Sequence, residues 1–122
     1  MKKVWVLEKF VPVETTKKDI ESLKKTYGDD KDPEIVEFLE KMVGVLQKSI
    51  DEHPEGHWVG YACKFNYRQF CQQAFEMIRQ HRRDGFKFRV VKAEVEDDAG
   101  YWTGYKNSVE NDGVLRYLYA VA

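Results

Sequence analysis

The alternation of apolar and polar positions opens the chain on a strand. Residues 3–11, KVWVLEKFV, are rich in β-branched and aromatic side chains. The period then changes. Ile20, Leu23 and Tyr27 fall on one helical face, Thr15 or Thr16 supplies a cap, Asp19 lies in the first turn and Gly28 is a stop. A polar loop, DDKD at 29–32, leads to a clearer helix. There Asp32 caps, Pro33 takes the first helical position and Glu34 meets the positive end of the dipole. Ile35, Phe38, Leu39, Met42, Val43, Leu46 and Ile50 follow at spacings of three and four. Gly44 weakens this helix by about 1 kcal/mol relative to Ala, and close packing would account for it. Pro54 ends it near His53.

Alternation returns at 57–65, HWVGYACKF, where Val59, Tyr61, Cys63 and Phe65 share a face. Asn66 and Gln69 have the spacing of a capping box. The helix behind them, reaching Asp84, carries Tyr67, Phe70, Cys71, Ala74, Ile78 and His81 on one stripe, and Gly85 closes it. Residues 86–95, FKFRVVKAEV, predict a third strand. Its apolar residues change parity between Val90 and Val91, which requires either a bulge there or a strand apolar on both faces. Residues 101–106 predict a short strand, NDG at 111–113 a turn, and VLRYLYAVA a closing strand. The order β-α-α-β-α-β-β-β describes a single α+β domain over residues 1–122. Its mixed or mainly antiparallel sheet would have four to five strands, with about three helices packed on it. If the strands on either side of the third helix are parallel neighbours, their crossover is right-handed.

A chain of 122 residues has room for one real core, and its 43% apolar and 34% charged residues exclude a disordered chain. No apolar run approaches the roughly 20 residues of a membrane span. Met1, Lys2 and Lys3 begin as a signal peptide would, but the apolar run stops at Glu8 and Lys9 without a small-residue cleavage site. The expectation is a cytoplasmic protein without membrane association. Cys63 and Cys71 sit among apolar neighbours, as reduced, inert thiols do.

The net charge of −1 hides a strong segregation. Residues 29–55 hold nine acids and three bases, residues 64–92 hold eight bases and two acids, and residues 94–112 hold six acids and one base. Such segments polarise a surface, pair with one another, or join two copies of the chain.

Candidate chemistry is sparse. His53 and His57 are four apart, but Pro54 and Gly56 break the helix that would align them on a metal. Glu94, Glu96, Asp97 and Asp98 offer oxygen ligands without calcium-loop spacing. Cys71 and His81 lie ten residues apart on one helix, roughly 15 Å by helix rise, and cannot form a dyad. No phosphate loop, nucleophile elbow or zinc-protease helix appears. No cofactor, metal or catalytic residue is expected.

Two features suit binding. Arg79, Arg82 and Arg83 end the third helix, where the dipole already favours cations, and Lys87, Arg89 and Lys92 carry the charge into the next strand. Tyr101 and Trp102 lie between Gly100 and Gly104, with Tyr105 directly after, beside turns, as core filling or as a binding anchor. The sequence therefore predicts a small non-enzymatic protein that occupies a partner protein's surface as an inhibitor or regulator. Arg79, Arg82, Arg83, Lys87 and Arg89 would meet an acidic partner, and Tyr101, Trp102 and Tyr105 would anchor it. A nucleic-acid-binding accessory role on the basic face of residues 64–92 is the alternative, although the pI of 6.3 lacks a strongly basic footprint. A small enzyme without a sequence signature is the third reading. The short chain, the MKKVWVL opening and the lack of catalytic signatures resemble, in style, small accessory proteins of phages and other mobile elements. That resemblance carries over no residue roles.

Overall fold

The computed structural model describes residues 1–98, 100 and 109–122, with Arg83, Val109 and Glu110 described by their backbone alone. Along the chain come β1 (Lys2–Pro12), α1 (Val13–Tyr27), α2 (Pro33–Glu52), β2 (Gly56–Lys64) and α3 (Tyr67–His81). After a 3₁₀ turn at Arg82–Asp84 follow β3 (Phe88–Val95), β4 (Val109–Glu110) and α4 (Asp112–Val121). The fold is α+β, as expected, with four helices among the described residues and three full strands plus the two-residue β4. The expected strand over 101–106 falls outside the described residues. The chain divides into two compact units: Met1–Phe10 with Trp58–Ala122, and Val11–His57.

The first unit holds the sheet, in strand order β2-β1-β3-β4. β1 and β3 are antiparallel in unbroken register, from Lys2 opposite Val95 to Lys9 opposite Phe88. No bulge is needed to explain the parity change in β3, because the strand is apolar on both faces. Phe88 and Val90 join Leu7, Ala62, Phe70, Ala74, Ile78 and Leu118 in one core, between the sheet and helices α3 and α4. Val91, Ala93 and Val95 join Val4, Val6 and Cys63 in a second cluster. β2 and β3 are not neighbours, since β1 lies between them, so the α3 connection spans a strand. The alternation expected in β2 also fails. Tyr61 and Ala62 belong with the helix-covered core, whereas Cys63 and Phe65 belong with the other cluster.

α3 begins as its sequence dictates. The Asn66 side chain accepts from the Gln69 N–H at 3.1 Å, Phe70, Ala74 and Ile78 are fully buried at helical spacing, and Gly85 closes the segment at φ 72°. The end of the chain corrects the expectation. Residues 112–121 form a helix, not a closing strand. Asn111 caps it by accepting from the Val114 N–H at 3.3 Å, so NDG starts a helix instead of turning a hairpin. VLRYLYAVA satisfies both periods, but only the helical one brings Val114, Leu115, Leu118 and Tyr119 together against α3 and β3.

The second unit is a helical hairpin. α1 starts at Val13 directly after Pro12, without a side-chain cap, and Thr16 is buried in its first turn. Asp32 caps α2 by accepting from the Glu34 N–H at 2.9 Å, with Pro33 at the first position. The Val13 N–H donates to the Glu55 carbonyl at 3.3 Å and joins the unit's ends. Tyr27 and Phe38 meet edge-on at 6.1 Å. No residue of α2 is fully buried. A Cβ placed on Gly44 would meet nothing within 4 Å, so close packing does not explain that glycine.

Candidate protein-binding surface

The basic segment is divided by the fold. Arg79 is exposed in the last turn of α3, Arg82 in the 3₁₀ turn after it, and Lys87 just before β3. Arg83 lies in the same 3₁₀ turn. Arg89 is partly buried and engaged within the fold. Its Nε donates to Glu8 Oε1 at 2.8 Å, and its guanidinium lies 4.5 Å from the centre of the Trp58 ring. Glu8 is 6% exposed, so this carboxylate depends on its arginine. Lys92 is likewise committed within the unit, 5.3 Å from the Trp5 ring on the opposite sheet face. The positive charge that continues past the helix end therefore reaches solvent at Lys87, while Arg89 serves the fold. Tyr101, Trp102 and Tyr105 lie outside the described residues.

His81 takes a part that its place on the apolar stripe did not reveal. Its Nε2 lies 2.8 Å from the Tyr61 hydroxyl, and its ring meets those of Phe86 and Phe88 at 5.5 and 6.5 Å. Asp84 Oδ2 is 3.7 Å from Nδ1. The histidine ties β2 to the last turn of α3. Lys9 closes the cluster from β1, stacking 3.8 Å over Phe86 and 5.1 Å over Tyr61.

No group of three or more metal-ligating side chains occurs among the described residues. His53 and His57 approach with ring centres 6.0 Å apart, and His57 Nδ1 lies 3.4 Å from Ser49 Oγ. In the acidic turn, Asp97 pairs with the Met1 ammonium at 2.9 Å, which holds the carboxyl below its ordinary range. Cys63 is buried, and desolvation pushes its thiol up to about 11.

The surface that sequence reading missed lies between α3 and α4. Cys71, Gln72 and Phe75 on one side and Tyr117, Leu118 and Val121 on the other line an open groove of about 210 Å³. Tyr117 is 58% exposed, Val121 47% and Tyr67 46%. Tyr67 extends the α3 side by a hydrogen bond with Cys71, which raises the phenol above its ordinary value, and by stacking on Trp5 at 4.9 Å. Arg68 and Arg116 are exposed on the same two helices. Reading the closing segment with helical period would have found this groove, because Tyr117 and Val121 are four apart and Leu118 lies between them.

Compared with known proteins, the chain matches no family model, no curated sequence and no solved structure. No helix among the described residues is long and apolar enough to cross a membrane.

Proposed function

We propose that this chain is a binding protein that occupies the surface of an acidic partner protein through the α3–α4 groove. One observation carries the reading: Tyr67, Tyr117 and Val121 stay about half exposed around an apolar groove although a core lies directly beneath them. Tyrosine is enriched at binding hot spots, where its ring supplies area and its hydroxyl tolerates a wet rim. Arg68, Arg79 and Arg116 on the same helices, with Arg82 in the turn after α3, supply charge-assisted contacts and on-rate steering toward carboxylates. On this reading the groove supplies the apolar anchor and the arginines at the end of α3 supply the charged contacts.

The test is affinity capture from lysate with the wild type, a Tyr117→Asp variant and an Arg79→Glu/Arg82→Glu variant, each first shown to fold by circular dichroism. The expected result is a protein captured by the wild type, lost with Tyr117→Asp and weakened by the charge reversal. Equal recovery by both folded variants removes the reading. Retention of nucleic acid alone at low salt, falling steeply as salt rises, would favour the nucleic-acid role instead.

A further inference from the structure

A second surface, on α2, is independent of whatever binds the α3–α4 groove. Phe38, Met42 and Val45 are 47%, 36% and 63% exposed, an unusual state for three large apolar residues at spacings of four and three. With half-buried Ile35 before them they occupy alternating three- and four-residue steps, the seam pattern of paired helices. One edge of that seam carries Glu34, Lys41 and Lys48 at seven-residue intervals, and the other carries Leu39 and Leu46.

We propose that a second copy of this chain docks along this seam, with the two α2 helices antiparallel. Charge decides both occupant and direction. In an antiparallel pair like edges meet, so Glu34 faces Lys48 of the second copy and Lys48 faces its Glu34, two ion pairs from one by symmetry. The two leucine edges then lie against each other and widen the apolar strip. In a parallel pair the charged edge would lie against the leucine edge, and neither ion pair would form. The antiparallel arrangement also opposes the two helix dipoles. Lys48 is available for the exchange, because its pairing with Glu52 is long, at 3.8 Å, with both side chains largely exposed. One contact is unfavourable: the register brings Lys41 against Lys41 of the second copy at the two-fold axis.

Sedimentation equilibrium from about 1 to 100 μM tests this, a range that covers micromolar association. The wild type is expected to dimerise and Val45→Glu to be monomeric with an unchanged circular dichroism spectrum. Glu34→Lys or Lys48→Glu alone should raise the dimer Kd roughly tenfold, since two pairs become two repulsions. The double reversal Glu34→Lys/Lys48→Glu should restore the wild-type Kd, and Lys41→Gln should tighten it. A wild type that stays monomeric throughout overturns the proposal. So does a dimer indifferent to Val45→Glu, or single reversals that the double variant does not rescue.

Discussion

Glu8 and Arg89 stand directly opposite each other on β1 and β3, and the Arg89 Nε donates to the Glu8 carboxylate at 2.8 Å. The two residues are 81 apart in sequence, and the pair explains how a charge can interrupt the apolar run VWVLEKFV without breaking the strand. Removing the arginine leaves a nearly buried carboxylate without its counter-charge. Arg89→Ala is therefore expected to cost about 2–4 kcal/mol, read by urea unfolding. The joint change Glu8→Leu/Arg89→Met should recover most of the loss, since it removes both charges and keeps apolar volume. If Arg89→Ala is neutral and the partner is lost instead, Arg89 belongs to the binding surface after all.

The helical reading of residues 112–121 has its own test. Arg116 is exposed in the middle of α4, so Arg116→Pro removes no buried contact but breaks the backbone ladder, a loss of about 3 kcal/mol in a helix interior. Leu118, 1% exposed in the core against α3 and β3, should cost about 2–5 kcal/mol as Ala. Asn111→Ala should cost about 1 kcal/mol through the lost cap. Denaturant midpoints check all three, and a tolerated Arg116→Pro would contradict α4.

Local signals were legible where backbone chemistry admits one answer. Asp32–Pro33 and Asn66 start helices because their side chains accept from N–H groups that a helix leaves unpaired, and Gly85 ends one because it alone tolerates the turn at low cost. The fold class followed from that punctuation. Strand order did not, because β1's place between β2 and β3 depends on pairings across the chain. The candidate surface was half legible. The arginines at the end of α3 were visible, but their exposure was not, and Arg89 was claimed by Glu8 from 81 residues away. The groove aromatics were hidden by a segment whose apolar residues fit both periods. Tyr117 and Tyr119, two apart and so on one face of the expected closing strand, separate on the helix: Tyr117 is exposed, while burial raises the Tyr119 phenol, which bonds to the Phe88 backbone.

Two glycines should respond in opposite directions to the same substitution. Gly85 sits at φ 72°, where an L side chain is strained, so Gly85→Ala should destabilise by about 1 kcal/mol. Gly44 is mid-helix with open space where a Cβ would stand, so Gly44→Ala should stabilise by about 1 kcal/mol. Thermal melts of the two variants, read against wild type, should move apart. A loss at Gly44 would show that something approaches the backbone there.

The two cysteines should separate by rate, and Cys63 should shape stability at alkaline pH. Cys63 is buried between sheet residues, whereas Cys71 borders the α3–α4 groove, so a thiol reagent at neutral pH should modify Cys71 first and reach Cys63 on unfolding. Burial raises Cys63 from about 9 to about 11, and the direction of the pH effect follows. Below pH 9 the thiol is neutral in both folded and unfolded chains, and it favours neither. Between 9 and 11 the unfolded chain releases its proton while the folded chain keeps it, so stability falls as pH rises, by about 2 kcal/mol from this group. Above 11 the contribution levels off. Cys63→Ala should flatten the alkaline limb of a stability–pH curve although it costs some packing at every pH. A wild-type curve that is already flat from pH 8 to 11 would show that Cys63 ionises as freely in the fold as in the open chain.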